Sequence, residues 1–151
     1  MNIWVDGDAC PNVIKAVLFK AADRRQVPTT LIANHFVRVP PSKWLKSLQV
    51  EQGFDVADHA IAERVEPGDL VITADIPLAD EVINKGAAAL NPRGTLYDRE
   101  NIKSHLAGRD MREELRASGL VGGGPAAFSD KDVQTFANAL DRTITQAKRK
   151  P

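Results

Sequence analysis

The chain has 151 residues, 43% of them hydrophobic and 26% charged, which predicts one globular domain with its own core. Twenty basic side chains balance 20 acidic ones, so any basic surface for a nucleic acid must be local. A single cysteine excludes an internal disulfide. The sequence lacks a signal-peptide pattern and any apolar run of roughly 20 residues. We therefore expect a cytoplasmic protein with no membrane partner.

Short apolar segments alternate with longer amphipathic segments along the chain, which indicates alternating strands and helices. In chain order, the predicted elements are strand Asn2–Val5, helix Pro11–Gln26, strand Thr29–Ala33, helix Asp55–Val65, strand Leu70–Thr73, helix Pro77–Asn84, strand Ala87–Leu90, the turn Asn91–Gly94, helix Arg99–Ala117, the glycine-rich loop Gly119–Pro125 and helix Ser129–Lys148.

The stretch between the second strand and the next long helix has two interpretations. It begins with a basic, proline-marked segment at residues 35–41. Ser42 is a favourable N-cap, which predicts a short helix that continues through Leu48. Alternatively, Leu48–Glu51 begins a third strand.

This alternation predicts a three-layer α/β domain in which helices cover both faces of a mainly parallel five-stranded sheet. We expect the strand order 3-2-1-4-5, which makes the first and fourth strands neighbours. Ligands of such sheets bind beyond the carboxyl ends of the strands, at the point where the strand order reverses. The predicted domain spans residues 1–151, with a frayed tail at residues 148–151.

Both of these neighbouring strands are followed by acidic residues and then by a proline that opens a helix. Asp6 and Asp8 precede Pro11, and Asp75 precedes Pro77. Each aspartate could also act as a helix cap, and Asp75 taken alone favours that structural role. The repeated pattern favours one acidic pocket. Its oxygen ligands suit a hard cation, Mg²⁺ or Mn²⁺.

Asp58 is a fourth candidate ligand. In the predicted helix Asp55–Val65 it shares a face with apolar residues such as Ile61, where an unpaired carboxylate is unfavourable. Binding of a cation would resolve that conflict. The alternative, which the residues support equally well, is a capping-box-like helix start with Asp58 at its edge.

Two arginines are candidates for binding substrate phosphate. Arg93 follows the fifth predicted strand and therefore lies at the same edge as the acidic residues, and Arg38 belongs to the basic segment. Arginine suits bidentate phosphate contacts. A solvated loop arginine is an equally good interpretation for Arg93 and the better one for Arg38.

Other chemistries have weaker support in the sequence. The three histidines have no metal-binding spacing, and one cysteine makes a structural zinc site improbable. Cys10 is best interpreted as a small buried residue, although a thiol at a helix N-terminus can be reactive. No P-loop or dinucleotide-binding motif is present. The glycines at 122–124 could wrap a phosphate, but a loop between helices is the simpler interpretation.

A set of motifs is spread over nearly the whole length of the chain. They are Asp6, Asp8-Ala9-Cys10-Pro11, Asn34, Gly53-Phe54-Asp55, Ala57-Asp58, Thr73-Ala74-Asp75-Ile76-Pro77-Leu78-Ala79, Asn91-Pro92-Arg93-Gly94 and Gly123-Gly124-Pro125. In these motifs the chain resembles the YaiI/YqxD family of bacterial proteins. Two positions differ from the usual pattern of that family: Gly7 replaces an alanine, and His59 stands where many relatives have an acidic residue.

This resemblance implies a PIN-like (Rossmannoid) domain related to PIN-domain nucleases, which bind Mg²⁺ or Mn²⁺ through clustered acids. It assigns Asp6, Asp8, Asp58 and Asp75 to the catalytic, metal-binding set. The first functional hypothesis is a metal-dependent phosphodiesterase acting on RNA or another nucleic acid.

Two alternatives remain. Asp6-Gly7-Asp8 after a strand and Thr73 at the end of another are similar to the first two motifs of haloacid-dehalogenase phosphatases, where Asp6 would be a covalent nucleophile. The other alternative is a non-catalytic protein that binds metal or nucleic acid through the same pocket.

Overall fold

The computed structural model describes residues 1–53, 56–107 and 128–149. The elements in chain order are β1 (Ile3–Asp6), α1 (Asn12–Arg25), β2 (Thr29–Ala33), β3 (Leu45–Gln49), α2 (Val56–Arg64), β4 (Leu70–Ile72), α3 (Ile76–Asn84), β5 (Ala88–Leu90), β6 (Leu96–Tyr97), α4, of which residues 102–107 are described, and α5 (Asp130–Arg149). The loop Gly119–Pro125 and the later part of the helix predicted for Arg99–Ala117 lie outside the described residues.

One sheet of six strands runs through the molecule in the order β3-β2-β1-β4-β5-β6. Each pairing among the first five strands is parallel, and β6 pairs with β5 in the antiparallel direction. The predicted mainly parallel α/β architecture and the order 3-2-1-4-5 are therefore confirmed for the first five strands. The reversal of strand order places β1 beside β4 at the centre of the sheet.

Alternating side chains of the central strands form two separate cores. Ile3 and Val5 of β1 pack with α1 and α5 on one face of the sheet. Trp4 lies on the other face, against the core that α2 and α3 build with Val71. A sheet buried on both faces needs apolar residues at successive positions, which explains the near-continuous apolar sequence of β1 and β4.

The short helix predicted from Ser42 through Leu48 is wrong. This stretch contains a strand, as the alternative interpretation proposed, but the strand begins at Leu45 rather than Leu48. The Ser42 hydroxyl accepts a hydrogen bond from the Trp44 N–H at 3.2 Å, which makes a turn instead of a helix cap. The strand forms because residues 45–49 pair in parallel with all of β2.

The prediction of five strands missed β6. The predicted turn Asn91–Gly94 reverses the chain, and the Gly94 N–H donates to the Asn91 carbonyl at 2.8 Å. Residues 96 and 97 then pair with β5. A strand of two residues is too short to produce a periodic pattern in the sequence.

The predicted C-terminal helix Ser129–Lys148 is confirmed as α5. Phe136, Leu140 and Ile144 recur every four residues and are fully buried against α1 and the sheet. The helix continues through Lys148, whose Nζ donates to the Arg25 carbonyl of α1. Within the parts of the chain described, no helix is both long enough and apolar enough to span a membrane.

Candidate active site at the carboxyl edge of the sheet

The site begins where β1 ends between its two parallel neighbours. Asp6 is the last residue of β1, and the chain then passes close to β2 through Gly7, whose N–H donates to the Ile32 carbonyl at 2.9 Å. A Cβ at position 7 would lie 3.2 Å from the Ala33 Cβ, a tight contact that a small shift of the neighbouring chain would accommodate. The acidic loop therefore turns directly against β2.

Asp6 is the most buried acidic residue of this edge, with only 7% of its surface exposed. Burial is the main cause that raises its pKa from 3.8 to about 6, and the negative charges of Asp8 and Asp75 add to the effect. The Thr73 hydroxyl and the Ala9 backbone N–H hydrogen-bond to the carboxylate and partly oppose this rise. The carboxylates at the ends of β1 and β4 therefore repel one another electrostatically.

Asp8 is oriented by the loop that follows β2. Its two carboxylate oxygens accept from the Asn34 backbone N–H at 3.1 and 2.9 Å. The His35 Nδ1 lies 2.8 Å from Asp8 Oδ1, and the Asp8 side chain remains 26% exposed. The loop therefore holds Asp8 nearer the surface than the more deeply placed Asp6.

The end of β4 contributes Thr73 and Asp75. The buried Thr73 hydroxyl lies 3.4 Å from Asp6 Oδ2 and also accepts from the Asp75 backbone N–H at 3.0 Å. Asp75 caps α3, because its Oδ1 accepts from the Leu78 N–H at 2.9 Å. The sequence offered two roles for Asp75, a helix cap or a member of an acidic cluster. In the structure it caps α3 and also lies close enough to Asp6 for its charge to raise the pKa of Asp6.

Asp58 lies in the first turn of α2 and is half-buried. Its neighbours Ala57 and Ile61 are buried in the core beneath α2. The acidic charges that raise the pKa of Asp6 come from Asp8 and Asp75. The role of Asp58 as a metal ligand stays a prediction, and Asp55, which the capping-box alternative requires, lies outside the described residues.

The two predicted phosphate-binding arginines have different surroundings. Arg93 follows β5, donates to Asp132 of α5 at 2.9 Å and stacks over the Phe128 ring with its guanidinium carbon 4.1 Å from the centroid. Arg38 is exposed and lines an open groove beside α1. The substrate role predicted for each remains a prediction, but Arg93 already has an acidic partner on α5.

The donor atoms of this edge fit a hard cation better than a soft one. Oxygen atoms of carboxylates and of the Thr73 hydroxyl predominate, and the thiol of Cys10 is buried with its pKa raised to about 12 by burial. The burial predicted for Cys10 is therefore confirmed. Among residues 1–53, 56–107 and 128–149, no three His, Cys, Asp or Glu side chains lie close enough together to hold a metal ion by themselves.

Three residues of the site were not predicted from the sequence to have these contacts. Thr73 bridges Asp6 and Asp75, the Asn34 backbone holds Asp8, and His35 pairs with Asp8. The position of Thr73, two residues before a capping aspartate, is a detectable turn signal. The contacts of Asp8 join residues that are 26 positions or more apart, so no local pattern indicates them.

Comparison with known proteins identifies the family but no activity. The family model described as the uncharacterised YaiI/YqxD family matches residues 4–146. A UPF0178 protein of Shewanella amazonensis is 64% identical over 97% of this chain and 98% of its own length. UPF0178 proteins of Colwellia psychrerythraea and Pectobacterium carotovorum are each 60% identical over 99% of both chains. No solved structure matches the chain. The chain therefore belongs to the YaiI/YqxD family.

Proposed function

We propose that the protein is a Mg²⁺- or Mn²⁺-dependent phosphodiesterase that acts on RNA or another nucleic acid at the carboxyl edge of its sheet. The observation that carries the proposal is the environment of Asp6. This carboxylate is buried, and two further acidic charges raise its pKa to about 6. At neutral pH it is largely ionised beside like charges, an unfavourable arrangement that a bound cation would offset.

A hydrated Mg²⁺ ion fits the donor set without a third protein ligand. Mg²⁺ commonly retains several waters and is held by one or two carboxylates together with substrate phosphates. Asp6 with Asp8 or Asp75 would supply those carboxylates, and Asp58 is a further candidate. The bound cation would supply Lewis-acid activation of water and neutralise charge on the phosphate.

The residues of the chain itself orient and separate the acidic groups. Thr73 donates to Asp6 and so fixes one of its oxygens, and the Asn34 N–H together with His35 fixes the direction of Asp8. The cap on α3 holds Asp75 in place. These contacts would keep the pocket formed before substrate arrives, which lowers the cost of ordering side chains on binding.

The contact between Thr73 and Asp6 also supports a second candidate function. A nucleophilic aspartate with a nearby threonine is what the haloacid-dehalogenase-like phosphatase alternative requires, and it would act on a small phosphorylated substrate. Parallel assays with bis-p-nitrophenyl phosphate, a diester, and p-nitrophenyl phosphate, a monoester, separate the two activities. Cleavage of the monoester alone would favour the phosphatase.

The proposal is tested by varying Asp75, because the two roles of this residue can be separated. Asn is also a good N-cap, so Asp75→Asn keeps the cap and removes the charge, whereas Asp75→Ala removes both at a cost of roughly 1 kcal/mol. We expect Asp75→Asn to abolish the Mn²⁺-dependent rise in Tm and the cleavage of labelled RNA. Its metal-free stability should equal or slightly exceed that of the wild type.

The matched control is Asp80→Asn, which removes an acidic charge from the same helix outside the pocket. It should retain both the Tm shift and cleavage. An Asp75→Asn variant that still shows the full Mn²⁺ shift would contradict the metal site. If the wild-type protein binds Mn²⁺ and RNA but cleaves neither RNA nor the diester, the result would contradict the phosphodiesterase and favour a non-catalytic protein that binds metal and nucleic acid.

A further inference from the structure

A second surface lies directly beside the acidic pocket. It is a groove of about 390 Å³ between the first half of α1 and the segment that follows β2. We call it the basic groove. Its lining includes Lys15 and Phe19 of α1, and His35, Phe36 and Arg38 of the following segment.

The charges of the basic groove have one sign. Lys15 and Arg38 line it, and no acidic residue does. Within the described parts of the chain, neither cation forms an ion pair with a carboxylate. The whole chain has a formal net charge of zero, so this groove is a local concentration of positive charge. Arg93, in contrast, is already paired with Asp132.

Phe36 gives the groove an unusual apolar feature, because 71% of its surface is exposed. The next residue, Val37, is buried in the core and anchors the segment. Phe36 is therefore attached to a fixed backbone position while its ring is open to solvent. An exposed aromatic ring in a groove that is also lined by cationic side chains is a combination that binds single-stranded nucleic acids, by base stacking and phosphate neutralisation.

The groove and the acidic pocket share a boundary at Asp8. Asn34 and His35 bind Asp8 on one side, and His35, Phe36 and Arg38 line the groove on the other. A strand lying in the groove would thus place an adjacent phosphate next to the carboxylates. The two surfaces are connected by five consecutive residues of one loop, 34–38.

We propose that the basic groove binds a single-stranded polynucleotide, with a base stacked on Phe36 and flanking phosphates held by Lys15 and Arg38. This inference rests on the proposed function for its meaning, since it assigns the path by which substrate reaches the acidic pocket. Because stacking on Phe36 requires an unpaired base, we expect the groove to bind single strands and not duplexes.

The test is fluorescence anisotropy with labelled twelve-nucleotide oligouridine, oligothymidine and a blunt duplex, in EDTA and at several salt concentrations. We expect Phe36→Ala to weaken single-strand binding by roughly 5- to 100-fold and Phe36→Trp to retain it. Lys15→Ala and Arg38→Ala should each weaken binding and lower the salt slope by roughly 0.7. Lys20→Ala, an exposed lysine of α1 outside the groove, is the matched control and should change little.

The outcomes separate this inference from the proposed function, because binding in EDTA does not require turnover. If binding depends on Phe36, Lys15 and Arg38 but no cleavage occurs, the result supports single-strand binding in the basic groove and contradicts the proposed nuclease activity. If cleavage persists unchanged in Phe36→Ala and Arg38→Ala, the result overturns the groove as the substrate path and keeps the proposed nuclease activity. Equal affinity for duplex and single strand, or no binding by the wild type at low salt, also overturns the groove assignment.

Discussion

At the scale of single residues, the candidate site is organised around Asp6, a carboxylate whose ionised form is disfavoured by burial and by neighbouring negative charges. Asp6 has lost most of its contact with water and lies near the charges of Asp8 and Asp75. A residue chosen for stability alone would be neutral at this position. Strongly shifted pKa values cluster at functional sites, so the raised pKa of Asp6 supports its place in the proposed site.

The pH dependence of stability follows from this pKa. The unfolded-state pKa of Asp6 is near 3.8 and the folded-state pKa is about 6, so between these values the folded state binds more protons. The free energy of unfolding contributed by Asp6 therefore falls as pH rises from about 4 to 6 and stays low above that window.

We expect Asp6→Asn to lack this fall. The free energy of unfolding of the variant minus that of the wild type should therefore increase by about 2–3 kcal/mol between pH 4 and pH 7. This amount corresponds to a shift of about two pKa units at 1.36 kcal/mol per unit. Urea unfolding at pH 4, 5, 6 and 7 without divalent cations measures the difference. A constant difference across this range would show that Asp6 titrates normally.

At the scale of elements, the contact between the Asn91–Gly94 turn and α5 determines how the last helix packs on the sheet. Gly94 has φ of 99°, a left-handed conformation that disfavours a side chain. A Cβ there would also lie 2.6 Å from Thr135 Cγ2 and 2.9 Å from the Thr135 carbonyl carbon. The turn and the helix backbone therefore approach more closely than any other residue would permit.

We expect Gly94→Ala to destabilise the fold by roughly 2–4 kcal/mol, because it combines backbone strain with a clash against the helix. The control is Gly68→Ala. Gly68 has a similar φ of 89° but no atom within 4 Å of the added Cβ, so its substitution should cost only the roughly 1–2 kcal/mol of backbone strain. Equal losses of unfolding free energy for the two variants would argue against the close approach of α5.

At the scale of the whole molecule, the buried aspartates Asp6 and Asp69 lie at opposite edges of the sheet, the proposed site at one and a structural hydrogen-bond cluster at the other. The buried Asp69, at the amino edge, accepts from the Asn2 backbone N–H at 2.9 Å, the Trp4 indole N–H at 3.0 Å and the Glu66 backbone N–H at 3.0 Å. It therefore joins the start of β1 to the turn before β4. Three hydrogen-bond donors stabilise the Asp69 carboxylate, whereas the negative charges of Asp8 and Asp75 destabilise the ionised form of Asp6.

Asp69→Ala should leave these three donors without an acceptor and lower the free energy of unfolding by roughly 2–4 kcal/mol. Urea unfolding followed by tryptophan fluorescence measures the loss, since Trp4 is one of the donors. The variant should retain the Mn²⁺-dependent rise in Tm, because the carboxyl edge is untouched. Loss of that shift in folded Asp69→Ala protein would show that the two edges are coupled.

Local sequence patterns were sufficient for most of the fold because they reflect local physics. Apolar runs, helix caps and prolines predicted most of the strands and helices along the chain. The expected strand order 3-2-1-4-5 then placed Asp6 and Asp75 at adjacent strand ends. The third strand and β6 were harder to predict. Leu45 belongs to a strand because β2 pairs with it, and β6 exists because a turn returns the chain to β5.

The sequence by itself determined which chemical groups reach the carboxyl edge, since strand ends and helix starts are encoded within a few residues. Only the tertiary structure decided how those groups behave. The raised pKa of Asp6 depends on burial by distant segments, and Arg93 is paired with an aspartate 39 residues away. The contact of His35 with Asp8 and the groove beside it arise in the same way. Electrostatics and surface shape depend on distances in space, which local sequence patterns do not encode.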